Sequence, residues 1–215
     1  MWVLLVVAAM AQDPDALDHA HWNDVGERRS DVGLVHLRKT TINDVMCIEG
    51  TVDVPASASA LHAVTTRMVT SPDWSSADLL ASEELARDGD SFVLYQHFNS
   101  PGWTLSADRY WIVQGVPEVL SPTTSRYRWH RLPASDWPSA ALQSEAVSRN
   151  AVEMPANYGE WLFTQQTSTT ALRYRACADI GGRVPATLVT WLTTQQVPDL
   201  IAELATEALR AGNNG

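Results

Sequence analysis

The sequence predicts an α+β fold, on three observations. Six apolar-rich segments of four to ten residues, separated by Pro/Gly/Ser/Asn clusters, fill the stretch from residue 91 to 180. That is the pattern of an antiparallel meander. One long helical pattern, from about Pro185 to Ala211, closes the chain. Before residue 90 only short elements occur, so helices and strands are segregated rather than alternating. A sheet of this kind curls, and the long helix has one large concave face to lie against.

The elements follow in order. Ala16 to Glu27 reads as a short helix carrying Leu17 and Trp22. Gly33 to Thr40 alternates, with Leu34, His36 and Arg38 opposing Val35 and Leu37. Val45 to Val54 alternates more clearly. Met46, Ile48, Val52 and Val54 share one face, and Cys47, Glu49, Thr51 and Asp53 the other. Period two with one apolar face means a half-buried strand. Pro55 ends it, and Ser57 or Ser59 can cap a helix over Ala60 to Val69. "TSPDWSSADLL" then breaks that helix. Strands are predicted at Ser91–Phe98, Arg109–Val116, Ser125–Arg131, Ala146–Glu153, Gly159–Gln166 and Ala171–Ile180, with an irregular loop over Leu132–Leu142. Gly181 and Gly182 stop the last strand, and Pro185 suits the first turn of the closing helix. Leu188, Trp191 and Leu192 form one apolar face of that helix. Val197, Leu200, Ile201, Leu204 and Ala208 form another, with Pro198 between them as an expected kink.

The bulk numbers restrict the function. A length of 215 residues suits one domain, and 45% hydrophobic residues can bury a real core. The formal net charge of −10 and the lack of a Lys/Arg cluster argue against a nucleic-acid partner. Trp2 to Met10 is an apolar run too short to span a bilayer, and Ala9-Met10-Ala11 fits a small-x-small cleavage site. Residues 1–11 are therefore a candidate signal peptide, and residues 12–215 the mature domain, periplasmic or secreted. Cys47 and Cys177 lie in no metal-binding spacing, and in an exported protein two cysteines make one candidate disulfide. No GxSxG, HExxH or phosphate loop occurs, so no catalytic residue, metal or cofactor is assigned.

Four motifs in order resemble the START lipid-transfer domain family, of the wider helix-grip or Bet v 1-like superfamily. They are "HWNDVGERRSDVGLVHLRKT", "VDVPASASALHAVTTRMVTSPDW", "SPGWTLSADRYWIV" and "ALRYRACADIGGRVPATLVTWL". Their order and spacing span nearly everything after residue 16. The order Asp108-Arg109 is reversed from the family's, and "FVLYQHF" offers no acid to partner the arginine. The resemblance implies a helix-grip fold, with a curved antiparallel sheet around a long C-terminal helix and an internal cavity. It further implies a monomer that holds a lipid or sterol-like molecule, touches membranes transiently and is gated by the loop 99–107. Arg109 would meet the ligand's polar group or a structural acid. Tyr95, His97, Trp103, Trp111, Tyr127, Trp129, Val189 and Leu192 would complete the binding wall. Trp161 with Phe163, and Leu172 with Tyr174, also look inward by alternation. In the family fold the strands of Cys47 and Cys177 are antiparallel neighbours, which implies that the two pair. Two rivals stand beside the carrier. One is a cavity enzyme of the polyketide cyclase or hydrolase type using His97, Tyr95 or Arg109. The other is an interaction domain with a filled core.

Overall fold

The computed structural model describes residues 13–100, 107–138, 150–181 and 186–212, with side chains of the last helix described from Thr194 onward. The candidate signal peptide, Trp103, and the side chains of Val189 and Leu192 lie outside the described residues.

A short helix α1 (Ala16–His19) leads into β1 (Asn23–Ser30), β2 (Gly33–Ile42) and β3 (Val45–Val54). Helix α2 (Ala58–Thr65) and a 3₁₀ turn (Met68–Asp73) follow, then β4 (Leu79–Asp88), β5 (Ser91–Phe98), β6 (Arg109–Ser121) and β7 (Thr124–Arg131). The chain closes with β8 (Val152–Glu153), β9 (Ala156–Gln165), β10 (Thr170–Asp179) and α3 (Ala186–Gly212). The strands make one curved sheet in the order β1-β2-β3-β10-β9-β7-β6-β5-β4, with β8 parallel to the start of β6. Strand β10 therefore joins an N-terminal three-stranded meander to the later strands.

The expected helix over Ala16–Glu27 ends at His19, and β1 takes its second half. Gly26, at φ +101°, sits at a register shift against β2. A glycine in mid-helix costs about 1 kcal/mol, whereas a bulge uses its left-handed freedom. Strand β4 was not legible in the sequence. "LLASEELARD" is rich in helix formers, and cross-strand pairing with β5 at the sheet edge overrides that preference. Strand β6 runs on through Pro117, because β5 stops opposite Gly115 and leaves Pro117 paired on one side only.

The concave face carries the main core. Helix α2 covers β7 and β9, and α3 covers β3 and β1. Ser57 caps α2, its Oγ accepting from Ala60 N at 3.2 Å. Gln165 Oε1 accepts from Ala58 N at 2.9 Å and fixes that helix to the end of β9. Val197, Ile201, Leu204, Ala205 and Ala208 are buried, as the second apolar stripe requires. They sit close over β3. A Cβ on Gly50 would lie 2.8 Å from Ile201 Cδ1 and 3.0 Å from Val197 Cγ1, so only glycine lets the helix come this near.

The outer face holds a row of charges that sequence reasoning did not assemble. Arg38, Glu49, Arg175, Glu160 and Arg128 are consecutive register partners across β2, β3, β10, β9 and β7. Their signs alternate along the row. Glu160, 1% exposed, accepts from Arg175 Nε at 3.0 Å, Arg173 Nη2 at 3.0 Å and Arg128 Nε at 3.3 Å. Arg38 Nε donates to Glu49 at 2.6 Å. Asp15 and Asp18 close over this row from α1, pairing with Arg128 and Arg175. Burial raises the Asp18 pKa, but its hydrogen bond to Arg175 and the surrounding guanidiniums outweigh that and hold it below the ordinary value.

Candidate functional site: the concave aromatic wall and its rim

Alternation decides which side chains face the helices. On β7, Tyr127 and Trp129 point onto the concave face, as do Trp161 and Phe163 on β9 and Leu172 and Tyr174 on β10. Their rings form a continuous chain. Phe92 stacks on Tyr127 at 5.8 Å, Tyr127 on Trp129 at 5.8 Å, and Trp129 on Tyr174 at 5.9 Å. Tyr174 then meets Trp161 at 4.3 Å. Offset rings at these separations attract beyond their area burial. A Cβ on Gly159 would lie 2.5 Å from Trp129 Cζ2, so this glycine makes the room the indole fills. The Trp129 indole donates to Asn157 Oδ1 at 2.8 Å. Burial pushes the phenols of Tyr127 and Tyr174 far above the usual tyrosine value.

Polar groups interrupt this wall near β5. Trp111 donates its indole N–H to Gln96 Oε1 at 3.1 Å, and Gln96 Nε2 donates to Ser71 Oγ at 2.6 Å and Ser82 Oγ at 3.3 Å. Phe98 lies 4.0 Å from the Trp111 ring. Gln96 and Ser71 were missed in the sequence. The period-two alternation of "FVLYQHF" was signal enough to place Gln96 opposite Tyr95 and His97.

Tyr95 and His97 are corrected by the same alternation. They point to the outer face, where Tyr95 packs with Tyr110, Ile112 and Leu132. His97 is fully buried beside them, its ring 6.5 Å from Tyr95 and its Nε2 3.3 Å from Asp108 Oδ2. Neither side chain lines the concave face.

Arg109 takes a third role, outside the two expected for it. It shares the concave side with Trp111, but its guanidinium binds backbone carbonyls. Nε donates to Ile180 O at 2.6 Å, Nη2 to Gly181 O at 3.4 Å, and Nη1 to Ala107 O and Asp108 O. Among the described residues no carboxylate pairs with it. Asp108 accepts from Ser100 N at 2.9 Å, and Ser100 Oγ donates to Ala107 O at 2.6 Å. Both ends of the 99–107 loop are thus tied together. Arg109 then fastens them to the end of β10, just before α3. A separate open groove of about 400 Å³ lies on the outer face between Asp53, Thr164 and Arg173.

Several solved structures share this architecture. Human StAR-related lipid transfer protein 5 superposes with a TM-score of 0.74 at 13% identity, over 95% of this chain and 96% of that one. This chain has the START-domain fold. The STAR-related lipid transfer protein from Xanthomonas axonopodis matches the START frame with a TM-score of 0.67 at 17% identity, over 87% of this chain and 98% of that one. The Zhui aromatase/cyclase from Streptomyces matches with a TM-score of 0.54 at 16% identity, over 77% of this chain and 94% of that one. No protein-family model and no curated protein matches the chain. Within the START frame, α2 overlies the β7 and β9 part of the concave wall, and the Arg109 clamp sits at the β10–α3 connection.

Proposed function

We propose that this protein binds a lipid or sterol-like molecule non-covalently between the concave aromatic wall and the first half of α3, with the loop 99–107 as the gate. It acts as a carrier rather than an enzyme. One observation carries the reading. Tyr174, in the middle of the run of stacked rings, is only partly buried. Trp111, on the same face, is also only partly buried. Partly covered rings on the face that the helices overlie support a hollow there, and a hollow that is mostly apolar with a few fixed polar groups such as Gln96 suits a greasy ligand with one polar end. The START fold supports the same conclusion, since two of the matched proteins are named as lipid transfer proteins.

A cyclase-type enzyme, the reading that the Streptomyces neighbour favours, would need His97 facing the hollow. The outer-face position of Tyr95 and His97 favours the carrier instead. Arg109 serves as the latch of the gate, and Trp103, Val189 and Leu192 complete the wall. The Cys47–Cys177 disulfide and the apolar run Trp2–Met10 support export to an oxidising compartment. The protein works there as a monomer that touches membranes while loading and unloading.

The test is mass spectrometry of the native protein, followed by organic extraction of what it carries. About one lipid or sterol molecule per chain is expected. Purification without any lipid, together with no binding of a fluorescent fatty acid or sterol probe, would sink the proposal.

A further inference from the structure

The disulfide between Cys47 and Cys177 joins directly opposed residues of β3 and β10 on the outer face. Both cysteines are 0% exposed, and their outer-face neighbours Glu49, Arg175 and Tyr158 are buried with them. What covers them is the segment from Asp13 to Trp22. Leu17, itself fully buried, packs on Cys47, Cys177 and Tyr158, and Trp22 flanks the cluster. The segment makes few bonds of its own, since α1 is a single turn. It is held from below by the charge row. Arg175 Nη1 donates to Leu17 O at 2.7 Å, Arg175 also pairs with Asp18, and Arg128 pairs with Asp15 and Asp18.

We propose that residues 13–22 form a strap that gates reductant access to the Cys47–Cys177 bridge, with Leu17 as the plug and Asp15 and Asp18 as the latch on Arg128 and Arg175. The bridge is a redox-sensitive restraint at a sensitive place. Cys177 stands three residues before Ile180, whose carbonyl Arg109 holds at the approach to α3. Thiol–disulfide exchange needs in-line approach of a thiolate to a sulfur, so a covered bridge reacts only when its cover lifts. A short segment docked by one leucine and exposed carboxylates lifts far more often than the sheet unfolds. With a dithiol reductant the chemistry is two exchanges. One reductant thiolate attacks a bridge sulfur and expels the other cysteine as thiolate. The second reductant thiolate then closes the reagent's own ring and releases the remaining cysteine. Two electrons pass from reagent to protein.

The experiment follows reduction of the folded protein by dithiothreitol, quenched with a maleimide and read by mass. Three variants are compared with the unaltered chain: Leu17→Ser, Asp18→Asn and, as a remote surface control, Arg210→Gln. Asp18→Asn is expected to speed reduction by about threefold to tenfold, and Leu17→Ser by about tenfold or more, with circular dichroism unchanged and the control at the original rate. Equal rates in Asp18→Asn and the unaltered protein would overturn the strap. Should Leu17→Ser not fold, the urea dependence in the unaltered protein decides. A rate nearly flat at low urea marks local lifting and supports the proposal. A rate that climbs from zero urea with the slope of global unfolding overturns it.

Discussion

Glu160 shows how much a single position can carry. It is 1% exposed and faces Arg128, Arg173 and Arg175, whose positive charges it offsets in a site with little water. Removing one partner of a buried ionic cluster leaves the others uncompensated, and the loss exceeds the net worth of any one pair. Glu160→Gln is expected to cost about 3–5 kcal/mol of folding stability, measured as a drop in the urea midpoint at constant slope. A change below about 1 kcal/mol would show that water already screens the row. None of this was legible in the sequence. Nothing in the local pattern of β9 and β10 marks Glu160, Arg173 and Arg175 as partners. Only the register across five strands brings acid opposite base, and only the docking of α1 excludes water from them.

At the scale of elements, strands with a clean period of two were legible and the edges were not. β3 and β5 have the bounds read for them, β3 because it presents one apolar face to the main core, and β5 because both its faces are covered, Phe92 and Leu94 in the concave core and Val93 and Tyr95 in the outer cluster. β1 and β4 were misread or missed, because edge strands bury little and their composition is set by solvent. The Arg109 clamp is likewise a product of topology, since it joins residues 71 and 72 positions apart. Its guanidinium fastens the gate loop to the β10–α3 connection. Arg109→Leu is therefore expected to leave the sheet folded but to speed release of a bound fluorescent sterol by roughly tenfold, the effect of losing about 1.4 kcal/mol of closed-gate stabilisation. Stopped-flow displacement measures it, and an unchanged release rate would remove Arg109 from the gate.

The whole molecule should lose stability in steps as it is acidified. Burial holds His62 and His130 below the ordinary histidine value, with Asp90 and Asp13 pulling the other way. A folded pKa below the unfolded one means the unfolded chain binds more protons as pH falls. The stability these histidines contribute is complete above the ordinary value and is lost as pH drops through the folded one. Asp18, also lowered, acts with the same sign in a more acidic window. Thermal melts at pH 7.5 and about 5.5 should show a lower Tm at the acidic value, and Phe at positions 62 and 130 should flatten that dependence. An equal or higher Tm at the acidic pH would contradict it. By itself, the sequence determined the fold class, the inward sets Tyr127/Trp129, Trp161/Phe163 and Leu172/Tyr174, and the buried stripe Val197–Ala208. The inward sets and the stripe follow from the periodicity of single segments, and the fold class from the order of those segments along the chain; both are written in the chain before it folds. The tertiary structure decided that Tyr95 and His97 lie behind the sheet, that Arg109 clamps carbonyls, and that a charged row and a disulfide lie under one short strap. Those depend on which strands become neighbours, and strand neighbours are chosen by packing between residues far apart in the chain.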